Sequence, residues 1–164
     1  AALIRAHVTR GVEMVRQYRL GERIADFVRE HHGTRSIDFF LERARWAGGP
    51  VDPEEFRYPG PRPRSKETAI LMMADQVEAI SRTMPEAEPD DYRTLAATTI
   101  DRLGREGQFD AAPLTLHDLA QIREAFVGTL VGMYHRRIKY PSQATVPLHG
   151  SEASQPATVA PQGR

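Results

Sequence analysis

Leu3, Ile4, Val8, Val12, Val15 and Leu20 recur at short, irregular steps along the start of the chain. That spacing is the period of an amphipathic helix rather than the alternation of a strand, and it predicts a first helix running to about Tyr18. After "RLGE", Ile24, Phe27 and Val28 open a second helical stripe that ends at Gly33, where a left-handed residue can stop a helix. The short connection predicts an antiparallel hairpin. Thr34 or Ser36 is expected to cap a third helix, whose Ile37, Phe40, Leu41 and Ala44 face inward before "AGGP" breaks it.

The stretch "GGPVDPEEFRYPGPRPR" carries prolines at 50, 53, 59, 61 and 63, a density that excludes a helix interior or a central strand and predicts an ordered or semi-rigid loop. Ser65 is expected to cap "KETAILMMADQVEAISRTM", where Ile70, Met73, Ala74, Val77, Ile80 and Met84 form one apolar stripe and make this the central core helix. "PEAEPDD" separates it from a helix over about Tyr92 to Leu103. "REGQFDAAP" then leads to a last helix from Thr115 to about Lys139, stopped by Tyr140-Pro141. Residues 141–164 are rich in Ser, Ala, Pro and Gln and are expected to be disordered. No segment reads as a strand and there is no internal repeat. The expectation is therefore an all-α domain over residues 1–140 followed by a tail.

Composition narrows the function classes. A chain of 164 residues is one domain by size. Lys plus Arg and Asp plus Glu are both 22, so no net charge draws the chain to DNA, RNA or an anionic membrane. There is no cysteine, which excludes disulfides and thiolate metal sites and leaves imidazole and carboxylate as the metal-binding donors. No apolar run reaches the roughly 18 residues of a membrane span, so direct membrane insertion by this segment is not expected. The chain opens on Ala1 within a helical pattern that lacks a cap, as expected of a fragment or of a processed N-terminus.

Hairpin geometry singles out three histidines. If the turn centres near Leu20 and Gly21, residue i of the first helix lies level with about residue 40 minus i of the second, which brings His7 to the end that carries His31, His32 and Gly33. Adjacent helical residues point about 100° apart, so His31 and His32 are expected to serve two ions, or one ion and one outer contact, rather than to bind one ion alike. Asp75 lies beside the apolar stripe of the core helix. Two readings fit its spacing: a carboxylate held by a cation or metal, or an edge residue beside an ordinary Glu78–Arg82 pair. His117-Asp118 is read as part of a helix cap, with Thr115 and Asp118 in capping-box spacing. His135 is read as a last-turn histidine, and His149 lies in the tail.

"IRAHVTRGVEMVRQYRLGERIADFVREHHGT", "FRYPGPRPRSKETAILMMADQVEAISR", "EGQFDAAPLTLHDLAQIREAF" and "YHRRIKYP" together resemble the C-terminal two-thirds of the cytoplasmic HD domain of seven-transmembrane HD phosphodiesterases of the PgpH type. The resemblance is colinear over about residues 1 to 141. It implies an HD-type helical bundle, truncated at its N-terminus, on the cytoplasmic side of a membrane protein. It further implies hydrolysis of cyclic di-AMP to pApA with two Mn or Fe ions. In the pattern H…HD…H…HH…D of HD domains, His7 matches the isolated His, His31 and His32 the adjacent pair, and Asp75 the final carboxylate. The first His and the His-Asp dyad normally precede the helix of His7, and they have no counterpart here. The missing N-terminal half of the domain is thus an expected partner, and the isolated chain is expected to bind metal weakly and turn over little.

Given the resemblance, the proline loop acquires a role. Arg57, Tyr58 and Lys66 are candidates to touch substrate, the cations through phosphate and the tyrosine through adenine. Two alternatives stay open: a non-catalytic helical module on an HD scaffold, and an HD phosphohydrolase acting on another nucleotide.

Overall fold

The computed structural model describes residues 2–84 and 86–134. Six α-helices follow one another: α1 (Ala2–Gln17), α2 (Glu22–Glu30), α3 (Asp38–Trp46), α4 (Lys66–Ser81), α5 (Pro89–Arg105) and α6 (Leu116–Tyr134), with a 3-10 turn at Pro53–Phe56. Among the described residues there is no strand, only an isolated antiparallel bridge between Ser36 and Arg57. The architecture is all-α. The expected tail, the boundary near residue 140 and the last turn of the final helix lie outside the described residues.

α1 and α2 form the expected hairpin. Val12 and Val15 bury against Ala25, with Val28 packed on the same cluster. A Cβ at Gly11 would come within 2.6 Å of the Val28 side chain, so glycine is what lets the helices approach this closely. Gly33 adopts φ +55, the left-handed conformation that ends the turn after α2.

The second packing unit is α4 with α5 and α6. Ala69, Met72 and Met73 pack with Ile100 and Leu103, while Val77 packs with Tyr92, Leu95 and Leu130. This corrects the expected stripe: Met73 and Val77 are buried, but Ile70 and Ile80 are 36% and 37% exposed and Ala69 and Met72 occupy the interior. α4 is apolar around most of its circumference, so its neighbours rather than its own pattern choose the buried face.

Local signals explain the helix starts. The Ser65 hydroxyl accepts from the Thr68 N–H at 3.2 Å, as expected of an N-cap. α5 begins three residues before the expected Tyr92, because Pro89 suits a first turn and Asp91 accepts from the Glu88 N–H at 2.8 Å. Neither Thr34 nor Ser36 caps α3. The backbone there is instead extended against the proline loop, with the Ile37 N–H donating to Phe56 at 2.7 Å and the Tyr58 N–H donating to Arg35 at 2.9 Å. That pairing brings the loop alongside the turn that carries His31 and His32.

Candidate metal centre

His7 comes from the second turn of α1, His31 from the C-cap of α2, and His32 from the turn that follows. The hairpin brings them together as its register implies. Each ring offers one nitrogen such that the three atoms lie within 4.8 Å of one another. The His7 ring centroid is 5.4 Å from that of His31 and 5.0 Å from that of His32. The His31 and His32 ring centroids are 3.9 Å apart, so the step between neighbouring helical residues does not keep these two rings apart.

Hydrogen bonding defines the donor atoms. His7 Nδ1 is bonded to the Ile4 carbonyl, and His31 Nδ1 lies 2.8 Å from the Val28 carbonyl. A carbonyl oxygen only accepts, so in the neutral rings both Nδ1 atoms carry the proton and both Nε2 atoms present lone pairs. Those Nε2 atoms face each other at 3.3 Å. Two lone pairs at that distance repel unless a proton or a cation lies between them. Backbone carbonyls holding the far nitrogens is the usual support for metal-binding imidazoles.

His32 adds a second unmet requirement. Its Nδ1 is buried and has no hydrogen-bond partner. Burial, together with neighbouring His31, His7 and Arg35, holds its pKa down to about 3, so the ring is neutral near pH 7 and its unprotonated nitrogen is available as a donor. Three imidazoles with one nitrogen each within 4.8 Å of the others, one of them carrying a buried nitrogen without a partner, fit a divalent cation of the imidazole-preferring kind.

Asp75 approaches from α4, its Oδ2 3.6 Å from His32 Nδ1, with its side chain 39% exposed. It borders the three-imidazole group without belonging to it. The alternative Glu78–Arg82 pair also forms, one turn further on. Tyr58 stacks on His32 with centroids 4.2 Å apart and an interplanar angle of 22°. Burial, then the Asp75 carboxylate, raises the pKa of its phenol, which stays protonated. Arg57 donates from Nη1 to the Thr34 carbonyl at 3.2 Å and from Nε to Glu54 at 2.9 Å. Lys66 is engaged elsewhere: its ammonium pairs with Asp118 at 2.7 Å, and nine residues of α4, about 13 Å of rise, separate it from Asp75.

His117-Asp118 is a cap, as expected. Asp118 accepts from the Thr115 N–H at 2.8 Å, while the Asp118 N–H donates to the Thr115 hydroxyl at 3.1 Å. Lys66, then Thr115, holds the Asp118 carboxyl well below the usual carboxylate range.

Three residues of the surroundings went unnoticed in the sequence. Glu30, 2% exposed, ends α2 next to His31. Burial pushes its pKa up, but the Arg64 N–H, the Thr68 hydroxyl and the Arg64 guanidinium outweigh that and keep it ionised. Its place directly before "HHG" was the available clue. Arg35, 7% exposed, pairs with Glu106 at 2.9 Å. Gln108, 2% exposed, reaches Thr34 across 74 positions of sequence, and nothing local announces it.

Residues 2–80, which hold all three histidines and Asp75, match the HD domain family. A bundle of helices with imidazoles gathered at a hairpin end goes with that match: residues 2–80 carry an HD domain. The chain is similar to the PgpH proteins. It is 40% identical over 139 residues to the cyclic-di-AMP phosphodiesterase PgpH of Bacillus subtilis, covering 85% of this chain and 20% of that protein. It is 32% identical over 139 residues to the protein of the same name from Listeria monocytogenes, covering 85% of this chain and 19% of that one. The crystal structure of the Listeria monocytogenes PgpH HD domain in complex with cyclic di-AMP superposes with a TM-score of 0.77 at 29% identity, covering 81% of this chain and 62% of that domain. The chain thus spans about a fifth of the length of these curated relatives. No helix among the described residues is long and apolar enough to cross a membrane.

Proposed function

We propose that this chain is the part of a PgpH-type HD domain that carries His7, His31, His32 and Asp75 as metal ligands, and that the domain it belongs to hydrolyses cyclic di-AMP to pApA. The observation that carries the reading is the three-imidazole group in which the His7 and His31 Nε2 atoms face each other at 3.3 Å and the third ring, His32, has a buried, unpartnered Nδ1. Similarity to two cyclic-di-AMP phosphodiesterases and to a domain crystallised with that nucleotide supports the substrate. The parent is read as a membrane protein with this domain on its cytoplasmic side. The metals are two Mn or Fe ions, which suit imidazole and carboxylate donors.

When bound, such ions supply Lewis acidity toward the phosphodiester and make water a stronger acid. The work of the chain is orientation and charge. Ile4 and Val28 carbonyls hold the tautomers of His7 and His31, so their Nε2 atoms stay directed at the cation. His32 is kept neutral and is walled by Tyr58, which narrows access for bulk water on that side. Asp75 brings negative charge to the same end. Arg57, beside the Thr34 carbonyl, is placed to attract a phosphate, and Tyr58 offers its exposed edge to a base. Lys66 acts on substrate in this reading only if it leaves Asp118.

A chimera tests this directly. The chain replaces the 139 aligned residues of Bacillus subtilis PgpH, and the purified HD domain is assayed with Mn and cyclic di-AMP. Release of pApA, lost on His31→Ala, is the expected result. A folded chimera that binds Mn but leaves cyclic di-AMP intact would overturn the substrate assignment, and one that binds no Mn would overturn the metal site. Hydrolysis of cyclic di-GMP in preference would move the substrate to another nucleotide.

A further inference from the structure

We infer that Gln108, in the connection between α5 and α6, is a positioning residue for the imidazole cluster; this rests on the reading of that cluster as a metal site. Gln108 lies far from the three histidines in sequence, yet two of its three amide bonds go to Thr34 in the turn that carries two of them. Oε1 accepts from the Thr34 N–H at 3.1 Å, and Nε2 donates to the Thr34 hydroxyl at 3.2 Å and to the Glu106 carbonyl at 3.3 Å. At 2% exposure, no water competes for these bonds.

The turn needs such a brace because regular helix stops at Glu30 while His31 and His32 must still be held. Its pivot, Gly33, is packed so closely that a Cβ there would lie 2.3 Å from Gln108 Oε1 and 2.7 Å from Met72 Cε. The Gln108 carboxamide therefore occupies the space that a side chain at 33 would fill. A second tie runs in parallel, Arg35 to Glu106 at 2.9 Å, from the same connection to the same turn. Two ties from one loop fix both the left-handed step at Gly33 and the heading of the chain beyond it. The backbone that sets the distance from His7 to His31 and His32 is thus anchored on the α4–α6 unit rather than on the hairpin alone.

A structural glutamine and a positioning glutamine make different predictions for the rings themselves. In the metal-free chain, long-range proton–nitrogen NMR of the imidazoles reports the tautomers without any dependence on metal. Gln108→Ala is expected to replace the fixed Nδ1–H pattern of His31 by an averaged one and leave His7 unchanged. In the chimeric HD domain described above, the same variant is expected to raise the Co(II) dissociation constant about tenfold, the loss typical of outer partners of metal-binding histidines. Gln108→Glu keeps the acceptor for the Thr34 N–H, and its expected effect on both readings is smaller than that of alanine. If Gln108→Ala fails to fold, Thr34→Val removes one of the three bonds and is expected to shift the His31 signals in the same direction. An unaltered His31 tautomer in the folded variants, with stability alone reduced, overturns the inference. Failure of the wild-type chimera to bind Co(II) overturns the metal reading, and with it the inference, even where the tautomer responds.

Discussion

Among the described residues, two places set a histidine next to another chemically capable residue, and they differ in what remains unsatisfied. At the start of α6, the carboxylate beside His117 has its partners: Asp118 takes the Thr115 N–H and hydroxyl and the Lys66 ammonium. At the end of the α1–α2 hairpin, lone pairs of His7 and His31 meet head-on and a buried nitrogen of His32 has none. The first arrangement is complete as it stands. The second has a deficit that a cation resolves, and an uncompensated buried polar group is costly enough that folds rarely keep one without use.

The largest effect that separates the two sites is on metal affinity. His7→Ala or His31→Ala in the chimeric HD domain is expected to weaken Mn binding by about 100-fold or more, measured by titration calorimetry, whereas His117→Ala leaves it unchanged. Equal losses at both sites would erase the contrast.

Backbone at the hairpin end is the next lever. Gly33→Ala places a Cβ against Gln108 and Met72 on a residue with φ +55, and is expected to cost about 3 kcal/mol in chemical denaturation, the sum of left-handed strain and overpacking. At the other site Thr115→Ala removes a cap and is expected to cost about 1 kcal/mol with no change in metal affinity.

The pH response sharpens the comparison further. Unfolded, His32 takes up a proton near 6.5; folded, it resists until about pH 3. Between these values the unfolded state binds more protons, so this contribution to stability is complete above pH 6.5 and is lost as pH falls. Glu30, whose carboxyl is also depressed in the fold, adds its own loss only below its ordinary value of 4.5. A melting temperature that drops by on the order of a few degrees between pH 6.5 and 5, and drops less in His32→Gln, is the expected result. The smallest effect is His117→Ala, expected to lie within about 0.5 kcal/mol of wild type at any pH in that range.

Helix order, the hairpin and the meeting of His7 with His31 and His32 were legible because helical period and a short turn together specify a register. The cap at Thr115 was legible for a similar reason: its partners lie within one turn of each other. Less of the site's wall could be read. The proline loop was expected to be ordered, but its pairing with residues 35–37 at the expense of a cap for α3 depends on contacts between segments about twenty residues apart. The inward face of α4 was misjudged by one position at Ile70 and Ile80, since a helix apolar on most sides carries no mark of which side its neighbours will cover.

The chain's own pattern of periods, caps and glycines was therefore enough to say that it is all-α and that three imidazoles share one end of a hairpin. Whether they converge on a common point was left to tertiary packing. The rings of His31 and His32 lie 3.9 Å apart, Tyr58 closes over His32, Gln108 bonds the turn from a distant loop, and Arg35 pairs with Glu106. Local periodicity encodes direction along a helix, but the distances between ring nitrogens depend on how α1, α2 and the turn after α2 pack together, and only long-range contacts fix that packing.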